Sequence, residues 1–137
     1  MARILAIDYG GKRTGLAVTD PLQIIATGLI TIDSKELIPY LKKYFIAETV
    51  ELIIIGLPVN WDESDTHGTP LVKAAIKKLE KEFPAVPIKT VDERYTSKMA
   101  KDAMLQMGMK KKDRRIKGNV DIIAATIILQ EYLQSNQ

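Results

Sequence analysis

The chain has 137 residues and reads as one domain, 1–137, with a single core. Apolar residues make up 46% and charged residues 27%, a globular balance, and no apolar run approaches the roughly 18 residues that span a bilayer. The net charge is +3, and the absence of cysteine excludes disulfides, thiolate catalysis and cysteine-ligated metals.

The first predicted element is a strand, "RILAIDY". Asp8 closes its apolar run, although Asp is disfavoured in strands and a buried carboxylate is costly unless paired or bound to metal. A Gly-Gly turn follows with Lys12 and Arg13, which can contact a phosphate; Gly10, Gly11 and Gly15 suit a tight turn and close backbone approach. "MARILAIDYG" has no signal-peptide layout, so a cytoplasmic protein without a membrane partner is expected. "TGLAVTD" alternates as a second strand, Asp20-Pro21 marks a turn, and "QIIATGLITI" is a third strand that completes an antiparallel meander.

"DSKELIPYLKKYFIAE" predicts a helix capped by Asp33 or Ser34, with Leu37, Leu41, Tyr44 and Phe45 on its buried face. "VELIIIGLP" is a continuous apolar run of the kind that forms a central parallel strand. A polar loop follows. Its Asn60 can touch a substrate backbone or cap the turn, Trp61 serves as a loop anchor, and His67 is expected to be solvated. Thr69-Pro70 starts an amphipathic helix, "VPIKTVDE" is a fifth strand, and "TSKMAKDAMLQMG" is a further helix ending at Gly108.

The basic charge is concentrated next. In "KKKDRRIK" six of eight residues are basic (Lys110, Lys111, Lys112, Arg114, Arg115 and Lys117) and one is acidic, a net of +5, which leaves −2 for the rest of the chain. Such a cluster neutralises nucleic-acid phosphates or simply solvates a loop. "NVDIIAATIILQEYL" closes the chain as a helix apolar on most faces, hence buried.

Three strands in a meander, then alternating helices and strands, predict an α/β fold: a mixed five-stranded sheet with two parallel strands and helices on both faces. The carboxyl ends of the parallel strands share the edge at which open α/β sheets bind ligands. Three acidic features fall there: Asp8, the "DER" of 92–94, and Asp121 in the first turn of the last helix. Each has a structural role available to it. Asp8 can bond the glycine turn, Asp92 and Glu93 can pair with Arg94, and Asp121 can complement a helix amino terminus. Converging carboxylates, however, suit a divalent cation with hard oxygen ligands, Mg²⁺ or Mn²⁺. Two such ions can clamp the attacking and leaving oxygens of a phosphodiester. Strand alternation admits only one of Asp92 and Glu93 to that site and does not choose between them.

Four stretches in register, "AIDYGGKRTGLAV", "IIIGLPVN", "VDERYTS" and "KGNVDIIAATIILQEYL", resemble the YqgF/RuvX family of RNase H-like proteins from end to end. The resemblance implies a single RNase H-like nuclease domain and catalytic, metal-holding acids at Asp8, Glu93 and Asp121. Arg94 then orients a neighbouring carboxylate. It implies a metal-dependent endonuclease whose target is the 5′ end of pre-16S rRNA, met on ribosomal precursor particles, or a four-way DNA junction. A nucleic-acid-binding module without catalysis is the alternative of a different class, and a monomer or weak homodimer is expected. An actin-like ATPase, suggested by "DYGGKRTG", needs two related domains, for which the chain is too short. The family's loop after "GLPVN" continues with Met-Asp-Gly, whereas this chain has "WDESD".

Overall fold

The computed structural model describes residues 2–57, 69–92 and 117–135, with Thr69, Asp92 and 117–121 described as backbone only. Five strands, β1 (Arg3–Tyr9), β2 (Arg13–Thr19), β3 (Ala26–Asp33), β4 (Val50–Leu57) and β5 (Ile88–Asp92), form one sheet in the order β3-β2-β1-β4-β5. β1 pairs antiparallel with β2 and β2 with β3, while β1–β4 and β4–β5 are parallel. This is the mixed sheet expected from the order of elements. Three α-helices are described: α1 (Leu37–Ala47), α2 (Thr69–Glu82) and α3 (Lys117–Ser135).

Strand alternation divides the core in two. Leu5, Ile7, Leu16, Val18, Ile53 and Ile55 face α1 and α2 and pack with Leu37, Leu41, Val72 and Leu79. Ile4, Ala6, Ala17 and Ile54 face the other way, onto Ala125, Ile128, Leu129 and Leu133 of α3. The consecutive Ile53, Ile54 and Ile55 are all fully buried because β4 is covered on both faces. Tyr44 and Phe45 are partly buried against the first cluster, and Phe45 meets Phe83 edge-on at 4.8 Å.

α3 approaches closely because the rows beneath it are small. Ala6, Ala17 and Gly28 stand side by side across β1, β2 and β3. A Cβ on Gly28 would lie 2.4 Å from Ile122 Cγ2. At its far end α3 borders a groove with Ile24, Ile25 and Ala26 through Leu133. α3 therefore lies with its amino end toward the carboxyl edge of the parallel strands. Lys89 of β5 donates to Tyr132 Oη at 3.5 Å and sits 5.7 Å from its ring centre, a further tie from α3 to the sheet.

Two expectations are corrected. The third strand begins at Ala26, not Gln23. Asp20 Oδ1 accepts hydrogen bonds from the N–H groups of Ile24 and Ile25 at 2.7 and 2.8 Å, and Gln23 takes φ 59°, so this segment forms a side-chain-closed turn instead of pairing. The helix after β3 starts as a 3-10 turn at Ser34–Glu36, and neither Asp33 nor Glu36 makes a side-chain cap. The hydroxyl of Ser34 is engaged elsewhere, as described below. α2 starts at Thr69 with Pro70 next, as the sequence predicts, and α3 begins at Lys117, two residues before the predicted start. The predicted helix over 96–108 lies outside the described residues.

Candidate active site

Asp8 is the sixth residue of β1, near the carboxyl end of the strand at the centre of the sheet order. Ile4 and Ala6 face α3, so alternation puts Asp8 on the same face, one pleat nearer the edge. It is half-buried. Its partner on β2 is Gly15, and Gly56 of β4 follows Ile55, the partner of Ile7. The carboxylate is thus flanked by glycine on both neighbouring strands. At these two positions the neighbouring strands place no side chain beside it. Gly56 pairs in turn with Val91 of β5, which packs with the α3-facing cluster.

The other two predicted acids are reached only in part. β5 ends at Asp92, in register with Leu57, and Glu93 and Arg94 lie outside the described residues. The backbone of Asp121 lies in the first turns of α3, four residues and about 6 Å of helix before Ala125, toward the edge that carries Asp8. Among the described residues no group of three or more metal-ligating side chains is gathered, and Asp8 is the one predicted acid whose side chain belongs to them. A half-buried carboxylate at this edge is a hard oxygen donor that fits Mg²⁺ or Mn²⁺ as one ligand of a shared set. Asn60, Trp61, His67, Lys110, Lys111, Lys112, Arg114 and Arg115 lie outside the described residues, and Lys117 is the first residue of α3.

The turn after β1 carries Lys12 and Arg13 and is held from three directions. A Cβ on Gly10 would lie 2.6 Å from the Arg13 carbonyl oxygen, so this tight reversal requires glycine. Ser34 N–H donates to the Lys12 carbonyl at 3.1 Å. The Ser34 hydroxyl, buried, donates to the Gly10 carbonyl and shares a hydrogen bond with Thr14 Oγ1 at 2.8 Å. Lys12 is exposed and Arg13 half-buried on this clamped turn, beside the end of β1. Ser34 is the residue that reasoning from sequence missed. "DSKE" has the pattern of a helix cap, and nothing local signals that its hydroxyl reaches back to Thr14.

The strand order, the parallel pairs and an acid at the end of the central strand define an RNase H-like α/β protein. The structure of T. thermophilus RuvC in complex with a Holliday junction substrate shares the fold, with a TM-score of 0.58 at 14% identity over 99% of this chain and 96% of that one. A family model described as RuvX, Holliday junction resolvase, matches residues 2–135, and the chain belongs to this family. Among its relatives, proteins named "Putative pre-16S rRNA nuclease" from Christiangramia forsetii and Bacteroides thetaiotaomicron are 50% and 49% identical. The first match covers 97% of this chain and 98% of the relative, the second 100% and 99%.

Proposed function

We propose that this protein is a metal-dependent endonuclease that hydrolyses phosphodiester bonds in structured nucleic acid, with the 5′ end of pre-16S rRNA as its target. The observation that carries the reading is Asp8, an acid at the carboxyl edge of β1 with glycine beside it on both adjacent strands. The names of its relatives support a nuclease acting on pre-16S rRNA, and the resolvase description of its family supports cleavage of structured nucleic acid.

On this reading Asp8, Glu93 and Asp121 hold Mg²⁺ or Mn²⁺, two ions when substrate is bound, and Arg94 orients a neighbouring carboxylate. The ions, when bound, supply a Lewis acid for the attacking water and for the departing 3′ oxygen. The chain's own residues bind and orient. Lys12 and Arg13 hold a phosphate against the clamped turn, Asn60 touches the backbone beyond β4, and the basic stretch 110–117 supplies most of the sequence-independent affinity. The protein works in the cytoplasm on ribosomal precursor particles, as a monomer or weak homodimer. No helix among the described residues is long and apolar enough to cross a membrane.

A four-way DNA junction is the second reading, favoured by the description of the family model. Cleavage of end-labelled precursor rRNA and of a four-way junction, side by side, separates the two. Each is run with Mg²⁺, Mn²⁺ or EDTA, on the native protein and on Asp8→Asn. The expected result is metal-dependent cutting of the rRNA, abolished by EDTA and lowered at least a hundredfold by Asp8→Asn with the melting temperature retained. Tight binding without cutting in any metal would favour the non-catalytic module instead.

A further inference from the structure

We propose that a second phosphate of the nucleic-acid backbone seats in a cleft on the opposite face of the sheet from Asp8, between Lys35 and Lys78. The inference deepens the nuclease reading and rests on it.

Asp8 and Tyr9 are consecutive in β1 and therefore face opposite sides. Tyr9 packs against the α1/α2 side, where it lines an open cleft of ≈ 240 Å³ with Gly11, Ser34, Lys35, Leu37 and Lys78 among its walls. The two lysines come from different elements, the 3-10 turn and α2, so their meeting is a product of the fold. Neither lysine side chain makes a hydrogen bond or ion pair among the described residues. Lys42, by contrast, is matched by Glu82 at 3.2 Å across α1 and α2. Two ammonium groups lining one cleft present positive charge to it, and an anion placed between them is attracted by both.

The size and position select the anion. The cleft is below the roughly 300–1,000 Å³ of pockets that enclose a whole small ligand, so it suits one charged group of a longer polymer. Gly11 lines the cleft with Leu71 packed close over it; a Cβ at that position would meet Leu71 Cδ1 at 3.3 Å. The clamped turn with Lys12 and Arg13 lies between this cleft and Asp8. A strand crossing the carboxyl edge thus meets Lys12 and Arg13 on the turn and Lys35 and Lys78 in the cleft beyond it. Phosphates held this way fix register and orientation and read no sequence.

The test is the salt dependence of binding, by fluorescence anisotropy of a labelled precursor rRNA fragment in EDTA. Native protein is compared with Lys35→Ala/Lys78→Ala, with Lys35→Arg/Lys78→Arg, and with Lys43→Ala/Lys77→Ala, which removes the same charge as the first from exposed positions outside the cleft. Loss of one phosphate contact should weaken binding about tenfold and flatten the slope of log K against log salt by about 0.7–0.9, with the control within twofold of native. Lys35→Arg/Lys78→Arg should restore the slope. Thermal melts confirm that each variant is folded. If the cleft variant matches the control while native protein binds tightly, the cleft is not on the nucleic-acid path and the nuclease reading stands. If native protein binds neither RNA nor DNA, both fall. A parallel titration with inorganic phosphate, followed by NMR, should show only weak binding. Tight free-phosphate binding lost in the cleft variant, with an unchanged nucleic-acid slope, would overturn the assignment to a polymer phosphate.

Discussion

The close seat of α3 on the sheet makes Gly28→Ala an informative perturbation. The added methyl would stand 2.4 Å from Ile122 Cγ2 and 3.3 Å from Thr126 Oγ1. Ile122 is β-branched and sits in a helix, where its χ1 has essentially one rotamer, so Cγ2 cannot swing aside. Thr126 is also held, its hydroxyl donating to the Ile122 carbonyl at 2.8 Å. The helix itself must lift. Overpacking of this kind costs about 1–3 kcal/mol, while replacing glycine recovers about 0.4–1 kcal/mol of unfolded-state entropy. The net expectation is a loss of about 1–2 kcal/mol, or about 4–8 °C in a chain of this length. Urea and thermal melts of Gly28→Ala, Ile122→Leu and the double variant form a cycle. Leucine lacks Cγ2, so the double variant should recover at least half of the loss. Because α3 carries Asp121 in its first turns, Gly28→Ala should also slow cleavage more than it weakens binding. A melting temperature equal to or above native in Gly28→Ala would refute the close-packing argument.

The clamp at Ser34 and the turn at Asp20 give two more tests. Ser34→Ala leaves the Gly10 carbonyl and the Thr14 hydroxyl without their buried partner, and should cost about 1–3 kcal/mol in a urea melt. It should also weaken nucleic-acid binding through the Lys12–Arg13 turn; unchanged stability would show that the hydroxyl is dispensable. The backbone N–H of Ile25 chiefly, against some desolvation, and then that of Ile24 hold the Asp20 carboxyl below its ordinary 3.8. A depressed folded value means the contribution is present above the ordinary value and lost as pH falls through the lowered one. The stability gap between native protein and Asp20→Asn should therefore be constant from pH 5 to 7 and close in strong acid; a gap that persists there would contradict the assignment.

Much of this was legible in the sequence for physical reasons that act locally. Period-two alternation, the run of three isoleucines and the Thr-Pro helix start specified the elements. Their order restricted the sheet to a meander with two parallel additions, and so put Asp8 at the carboxyl edge of the parallel strands. Family-like spacing of four motifs extended that to nuclease chemistry. What tertiary structure decided was every feature that joins residues distant in the chain. Gly15 and Gly56 stand on either side of Asp8 only because β2 and β4 both pair with β1. Ser34 has the signature of a cap, yet its hydroxyl is spent on Gly10 and Thr14, because a buried turn needs a donor more than an exposed helix start does. The third strand starts late because Asp20 satisfies two backbone N–H groups that pairing would otherwise have claimed. Lys35 and Lys78 are 43 residues apart in the sequence and share a cleft only when α2 packs beside the 3-10 turn. Local pattern determines which elements form, whereas long-range pairing determines which side chains meet, and a site is made of side chains that meet.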